Sequence, residues 1–237
     1  MANNHTYTVK TCNGLKLHVI KTAVTNIKLL TLNEKQNLAE SSYYGINGGY
    51  FDMGHNNMLS FAMSDGEILC WSNNDIGFGM LSWDTIASRL EFGTTGAELT
   101  AYLGNYGAWG QGGHRLILGY NNWRKDMIAV NELTAKAIDE KKNGRTALVV
   151  DIIDNQAYLI VARDANDSNT IDVTKFRTAL NEYFSLTEGS TESPRYKGIM
   201  LDGSYSSQLK AKDGNTTVNI KGARRPLCQI VALRDAT

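Results

Sequence analysis

The sequence is poor in proline and cysteine and has no excess of either charge. Of 237 residues, 2 are proline and 3 are cysteine, and 24 Lys+Arg residues stand against 24 Asp+Glu residues. The zero net charge excludes the general basic field on which binding to a nucleic-acid polymer depends. The cysteines are odd in number and contain no Cys-x-x-Cys pair, so we expect neither a disulfide framework nor a zinc site. We also expect no cofactor.

Long apolar runs and an obvious targeting segment are missing as well. No apolar run reaches the length of a membrane-spanning helix, and residues 1–10 lack the charged and apolar regions of a signal peptide. We therefore expect no membrane partner and a cytoplasmic or virion-associated protein, or a secreted one if a signal peptide has been removed. The sequence leaves the oligomeric state open.

The sequence does contain enough apolar residues for a sizeable core and many glycines for tight turns. Hydrophobic residues make up 42% of the chain, and there are 22 glycines. Short β-like runs recur throughout, and no linker or internal repeat divides them. We predict one domain over residues 1–237, of the α+β class, rich in strands, with mixed sheets and two or three helices.

Some local patterns predict particular elements directly. Asp65-Gly66, between two apolar runs, is the signal for a tight hairpin. The apolar run at residues 147–150 predicts a central strand. Apolar residues at helical spacing over residues 173–184, behind Asp172 or Thr174 as the cap, predict an amphipathic helix.

Other patterns are weaker, and they surround a glycine-rich stretch. Residues 98–103 and 115–120 are predicted as strands, and residues 104–113 between them as a long surface loop. Helix formers over residues 131–142 predict a further helix.

The first segment suited to chemistry is a strand-like run that ends in Asn47, Gly48 and Gly49 and continues through an aromatic pair to Asp52. Adjacent glycines let a backbone approach a ligand closely, and Asn47 and Asp52 offer hydrogen-bonding groups beside them. The alternative is a plain hairpin, because Asn-Gly is the strongest hairpin dipeptide.

The second segment is a buried-type strand over residues 199–201 that delivers Asp202 at its carboxyl end, followed by hydroxyl-bearing residues. Catalytic groups often lie where a rigid strand ends in a loop. Asp202-Gly203 is also an ordinary turn signal, so a simple turn is the alternative. A serine hydrolase is poorly supported, because no glycine follows Ser206 as a nucleophile elbow requires.

Two arginines and one histidine complete the candidates. Arg145 opens the predicted central strand and Arg225 precedes the last strand. Guanidinium groups suit phosphate and carboxylate, although most arginines are surface charges. The histidines show no metal-ligand spacing, and His114, after two glycines, lies in a predicted loop suited to lining a pocket.

Taken in order, these segments resemble the phosphodiester glycosidase family. Two matches are specific: the family's Asn-Gly-Gly-Phe/Tyr-Phe element at residues 47–51, and its Leu-Asp-Gly-Gly-Gly-Ser element at residues 201–206. The likeness is strongest over residues 43–234. The weaker matches are a glycine-rich stretch before a strand at residues 112–119, an Arg-Thr strand start at residues 145–146, and a late arginine at Arg225.

The resemblance implies a glycoside hydrolase that splits the bond between an anomeric carbon and a phosphate oxygen. Its partner is a small-molecule or glycan phosphodiester, and its products are free sugar and a phosphomonoester. A phosphate leaving group needs little protonation, so the site must stabilise an oxocarbenium-like centre and an anionic phosphate. The implied catalytic residues are Asp202 as base or nucleophile, Asp52 and Arg145. The implied substrate-binding residues are Asn47, Gly48, Gly49, Ser206, Arg225 and His114.

Departures from the family pattern keep other functions open. Ser204 and Tyr205 replace the middle glycines of the aspartate element, which we expect to narrow or reshape the pocket. A non-catalytic carbohydrate- or phosphate-binding module is therefore the main alternative. A protein that binds or hydrolyses nucleotides or other phosphodiesters on the same scaffold is the third possibility. Such hydrolases normally recruit metals, for which the sequence offers no ligand cluster.

Overall fold

The computed structural model describes residues 4–32, 36–52, 57–71, 79–92, 98–141, 143–164, 170–222 and 225–235. The strands within these ranges are β1 (His5–Cys12), β2 (Leu15–Ala23), β3 (Ile27–Thr31), β4 (Gly45–Asn47), β5 (Phe51–Asp52), β6 (Asn57–Met58), β7 (Ala62–Ser64), β8 (Glu67–Cys70), β9 (Gly79–Asp84), β10 (Arg89–Phe92), β11 (Trp109–Arg115), β12 (Arg145–Asp151), β13 (Gln156–Asp164), β14 (Tyr196–Met200), β15 (Leu209–Asp213), β16 (Thr216–Ile220) and β17 (Gln229–Leu233). The helices are α1 (Trp123–Ala129), α2 (Ala135–Asp139) and α3 (Val173–Tyr183).

Most strands belong to two sheets that share a core. The first sheet has the order β1-β2-β13-β12-β14-β11-β7-β8, with β9 beside β11 and β10 beside β9; the second has the order β16-β15-β4-β17-β3. β5 and β6 form a separate two-stranded hairpin. Ile20 and Leu148 of the first sheet pack in one buried cluster with Ile46 and Val231 of the second. The chain is therefore a β-rich α+β protein, as predicted, and most of it is sheet.

The expectation of mixed sheets is wrong. Every ladder between two described strands is antiparallel. α3 carries the chain from β13 to β14, but both strands pair with β12, which lies between them. The crossover therefore joins two strands that are not neighbours, and no parallel ladder forms.

The strongest local patterns are confirmed. Asp65 and Gly66 adopt φ angles of 53° and 74° in the hairpin between β7 and β8, as a tight turn of this type requires. The central strand β12 is buried along its whole length. α3 begins after Asp172, whose carboxylate accepts from the Lys175 backbone N–H, and its apolar face packs on the outer side of the first sheet.

The predictions around the glycine-rich stretch are mostly wrong. Residues Glu98–Tyr102 form a short 3-10 helix instead of a strand, and residues 116–120 form irregular structure and a turn. The predicted loop is present only at residues 104–108, because Trp109–Arg115 form β11, a strand paired on both sides. β11 contains none of the β-branched residues that mark strands in a sequence. Its glycines are needed instead for close packing against β14, since a Cβ at Gly113 would lie 2.7 Å from the Met200 carbonyl oxygen. The Trp109 side chain belongs to the core, where its indole N–H donates to the Val24 carbonyl at 2.9 Å.

The helical segment before β12 is shorter than predicted and is preceded by one that the sequence did not indicate. α2 covers Ala135–Asp139, with the Thr134 hydroxyl accepting from the Ala137 N–H, and α1 covers Trp123–Ala129. In the described part of the chain, no helix combines the length and the apolar character needed to cross a membrane.

Candidate functional site

The Asn47 turn and the Asp202 loop lie side by side, where strands of both sheets end. The Asn47 side-chain Nδ2 donates to the Asp202 backbone carbonyl oxygen at 2.7 Å. Its Oδ1 accepts from the Thr146 hydroxyl at 2.8 Å and from the Gln208 backbone N–H at 3.0 Å. The Asp202 backbone N–H donates to the Gly48 carbonyl at 3.2 Å. The buried Asn47 side chain thus joins three segments around Asp202. Its contact with substrate stays a prediction.

The two glycines after Asn47 are required by buried glutamines that the sequence did not indicate. A Cβ at Gly48 would lie 2.4 Å from Gln229 Oε1, and one at Gly49 would lie 2.9 Å from Gln111 Nε2 and 2.7 Å from Ser60 Cβ. The Gly49 N–H donates to Gln229 Oε1 at 2.8 Å, and Gln229 Nε2 donates to Gln111 Oε1 at 2.5 Å. This amide pair fixes the turn, and no local pattern marks either glutamine.

The loop after β14 keeps a glycine-like backbone although a serine replaces one of the family's glycines. Ser204 has a φ of 58°, in the left-handed region, and its N–H donates to the Gly144 carbonyl at 2.9 Å. A Cβ at Gly203 would lie 2.5 Å from the same carbonyl oxygen. The segment that precedes β12 therefore packs directly against the Asp202 loop.

The Asp202 carboxyl lies in a chain of polar contacts that leads to Arg225. Its Oδ1 accepts from the Gly203 N–H at 2.9 Å. Burial raises the pKa of Asp202, and hydrogen bonds from the Ser206 hydroxyl and the Gly203 N–H, together with the charge of Arg225, oppose that rise. Arg225 Nη1 donates to Ser206 Oγ at 3.3 Å. A carboxylate with a raised pKa is a stronger base than usual.

Arg145 is a buried cation with no ion pair in the part of the chain that the structure describes. Its Nε donates to the Ile171 carbonyl at 2.9 Å, its Nη2 to the Lys141 carbonyl at 2.6 Å, and its Nη1 contacts Met200 Sδ at 3.8 Å. Burial lowers the pKa of Arg145, and the nearby Tyr50 and Asp172 oppose that fall. A guanidinium held by neutral acceptors retains its charge for an anion.

Tyr50 lies between these charges and His114. The Tyr50 and His114 rings meet edge to face, with centroids 5.1 Å apart. Burial and the nearby Asp202 charge raise the pKa of Tyr50, and Arg145 opposes them. Burial, reinforced by Arg145, lowers the pKa of His114 to about 4, so the imidazole is neutral at pH 7. His114 Nδ1 lies 3.9 Å from Glu132 Oε1 and has no hydrogen-bond partner among the described residues.

Asp52 is placed differently from the other candidates. It lies on β5, opposite Asn57 in the separate hairpin. Hydrogen bonds of Asn47, Ser206 and Arg225 bring these predicted site residues together around the Asp202 loop, whereas the catalytic role of Asp52 stays a prediction.

Three surface grooves lined by described residues lie elsewhere. One of about 720 Å³ runs beside His5, one of about 560 Å³ beside Tyr183 and one of about 630 Å³ beside Tyr102. None of them includes Asp202. Among the described residues, no three His, Cys, Asp or Glu side chains come together as a metal site. The candidate site is therefore identified by the adjacent ends of β4 and β14 and by the charged groups of Asp202, Arg145 and Arg225.

No protein-family model and no curated protein matches this sequence. The solved structures that share its fold include the following two. The catalytic domain of zebrafish N-acetylglucosamine-1-phosphodiester alpha-N-acetylglucosaminidase, auto-inhibited by its pro-peptide, superposes with a TM-score of 0.66 and 14% identity over 98% of this chain and 82% of that chain. A hypothetical protein from Synechocystis superposes with a TM-score of 0.62 and 12% identity over 96% of this chain and 61% of that chain.

At these identities the likeness shows the fold alone. The resemblance to phosphodiester glycosidases is therefore supported as a similarity of fold to one such enzyme, and family membership does not follow from it.

Proposed function

We propose that this protein is a hydrolase that cleaves the bond between the anomeric carbon and the phosphate oxygen of a sugar-1-phosphodiester. The products are free sugar and a phosphomonoester. The observation that carries the proposal is a partly buried carboxylate, Asp202, linked through Ser206 to Arg225, near a second guanidinium, Arg145, that has no ion pair in the described part of the chain. The reaction requires both charges, one against an oxocarbenium-like carbon and one against the departing phosphate.

Asp202 acts on the anomeric carbon, either as nucleophile or as the base that activates water. Its raised pKa makes the ionised carboxylate a stronger base than an ordinary aspartate. A phosphate leaving group departs without prior protonation, so a second carboxylic acid is not essential. The anomeric configuration of the sugar first released distinguishes the two roles.

Arg145 and Arg225 bind the phosphate. Two backbone carbonyls orient the Arg145 guanidinium before substrate arrives, which reduces the reorganisation that binding would otherwise demand. Tyr50 stays protonated because its pKa is raised, so its hydroxyl donates to a substrate oxygen. His114, neutral at pH 7, adds a hydrogen-bonding nitrogen without adding charge.

The test is incubation of the protein with a panel of sugar-1-phosphodiesters in ¹⁸O-labelled water. We expect free sugar and an unlabelled phosphomonoester, because water attacks carbon. Label in the phosphomonoester would mean attack at phosphorus and would replace this proposal with the phosphodiesterase alternative. Calorimetric binding of several diesters with no sugar released from any of them would favour the binding module, for which the Ser204-Tyr205 replacement is the motivating observation.

A further inference from the structure

We infer that Tyr205 forms the subsite for the group on the far side of the phosphate and selects diesters in which that group is a ring with an apolar face. The inference rests on the proposed function. Tyr205 is 54% exposed, although it lies in the same loop as Asp202. The Arg225 guanidinium lies 5.3 Å from the centre of its ring.

The Tyr205 backbone is held in place by contacts with neighbouring segments. The residue is the middle of a 3-10 turn over Ser204–Ser206. Gly222, with a φ of 54°, packs beneath the turn, and a Cβ there would lie 2.7 Å from the Tyr205 carbonyl oxygen. On the other side, the Ser204 N–H donates to the Gly144 carbonyl. A site residue on such a supported loop presents one defined geometry to a ligand.

The order of contacts from Asp202 through Arg225 to Tyr205 assigns Tyr205 to the substituent beyond the phosphate. Asp202 accepts a hydrogen bond from Ser206, Ser206 accepts one from Arg225, and Arg225 stacks on Tyr205. With the anomeric carbon at Asp202 and the phosphate at Arg225, the next group along the diester lies against Tyr205. An exposed tyrosine ring is suited to stacking against the apolar face of a sugar or an aromatic ring.

Tyr106 is a matched control elsewhere on the surface. It is 81% exposed and also stacks against an arginine, Arg234, at 5.6 Å. Arg234, however, is paired with Asp65 at 2.7 Å, and no hydrogen bond or ion pair links it to Asp202 among the described residues. A change at Tyr106 therefore removes an exposed, arginine-stacked tyrosine without touching the candidate site.

The experiment compares methyl, benzyl and hexopyranosyl diesters of the sugar 1-phosphate that the panel identifies, or of α-glucose 1-phosphate if it identifies none. We expect Tyr205→Ala to raise KM for the two ring-bearing diesters by about fivefold, with kcat and the methyl diester nearly unchanged. Tyr205→Phe keeps the ring and should match wild type, as should Tyr106→Ala. A loss confined to the benzyl or to the hexopyranosyl diester identifies the kind of ring.

Two results would overturn the inference while leaving the proposed function intact: an equal rise in KM for the methyl diester, or no rise for any diester. If wild-type protein releases no sugar at all, the proposed function fails, and calorimetric affinities for the same diesters decide the inference. Ring-bearing diesters that bind no better than the methyl diester, or that bind Tyr205→Ala equally well, would then reject it. Thermal midpoints of all variants exclude unfolding as the cause.

Discussion

Two buried arginines, Arg145 and Arg177, differ in how completely the protein satisfies them. Arg177 donates to the carbonyls of Leu116, Ile117 and Tyr120, at 2.9, 2.7 and 2.7 Å. It also pairs with the Glu188 carboxylate. Every nitrogen of its guanidinium therefore has an oxygen partner, and one of those partners is an anion.

Arg145 has neutral partners only. Two of its nitrogens donate to backbone carbonyls and the third contacts the Met200 thioether, and no described carboxylate pairs with it. Burial alone therefore does not mark an arginine as functional. What separates the two is the ion pair: Arg177 pairs with Glu188 and anchors α3 to the segment after β11, whereas Asp172 acts on Arg145 through its charge without forming an ion pair in the described part of the chain.

The largest expected effect comes from neutralising the acid in each region, Asp202 in the candidate site with Arg145, and Glu188 beside Arg177. Asp202→Asn should reduce turnover by at least about a hundredfold while substrate still binds, because the charge acts chiefly in the transition state. Its thermal midpoint at pH 7 should not fall, because burial disfavours the ionised carboxyl that the change removes. Glu188→Gln in the Arg177 region should leave turnover per folded molecule unchanged. Intact turnover with reduced stability in Asp202→Asn would make Asp202 a turn cap.

Lysine at the two arginine positions should give opposite phenotypes. Arg145→Lys should raise KM for phosphodiesters by about tenfold, because an ammonium group cannot reproduce the bidentate geometry of guanidinium. Arg177→Lys should lower the free energy of unfolding by about 2 kcal/mol, because carbonyl and carboxylate partners are lost. Substrate kinetics and urea unfolding of both variants test the pair. The same purely structural loss in both would remove Arg145 from the site.

The smallest expected difference is in the pH dependence of stability. The pKa of His114 is about 4 in the folded protein, below the ordinary value of 6.5, so the unfolded chain binds more protons between these values. Stability that is present above pH 6.5 is therefore lost as the pH falls towards 4, by about 1 kcal/mol between pH 6.5 and 5.5. Thermal unfolding of wild type and His114→Gln across this window tests the effect. Parallel curves for the two proteins would contradict it.

The parts of the fold that were predictable are those set by neighbouring residues. Asp65-Gly66 forms its turn because both residues adopt left-handed backbone, and α3 forms behind its Asp172 cap with a continuous apolar face. β11 was not predictable, because its pairing depends on glycines that fit against β14 and on a tryptophan that fills the core between distant strands.

The candidate site divides in the same way. Local sequence signals mark Asp202, at the end of a strand, and the two glycines after Asn47. Both segments also resemble sequence elements of phosphodiester glycosidases, in the same order along the chain. The Gln111–Gln229 pair carries none, since it joins side chains 118 residues apart. That Arg145 has no ion pair among the described residues is likewise a property of the assembled structure, because it depends on how close the fold brings each acid.

The hydrogen bonds of the Asn47 turn determine when the candidate site forms during folding. Asn47 bonds to Asp202, 155 residues away, and Gly49 bonds to Gln229, 180 residues away. Closing loops of this length costs conformational entropy before the new contacts stabilise the structure. The site therefore cannot assemble within an early nucleus of local contacts. It forms only when β17 has joined β4, because a nascent chain without β17 carries Asn47, Asp202 and Arg225 but lacks Gln229, which holds the Asn47 turn.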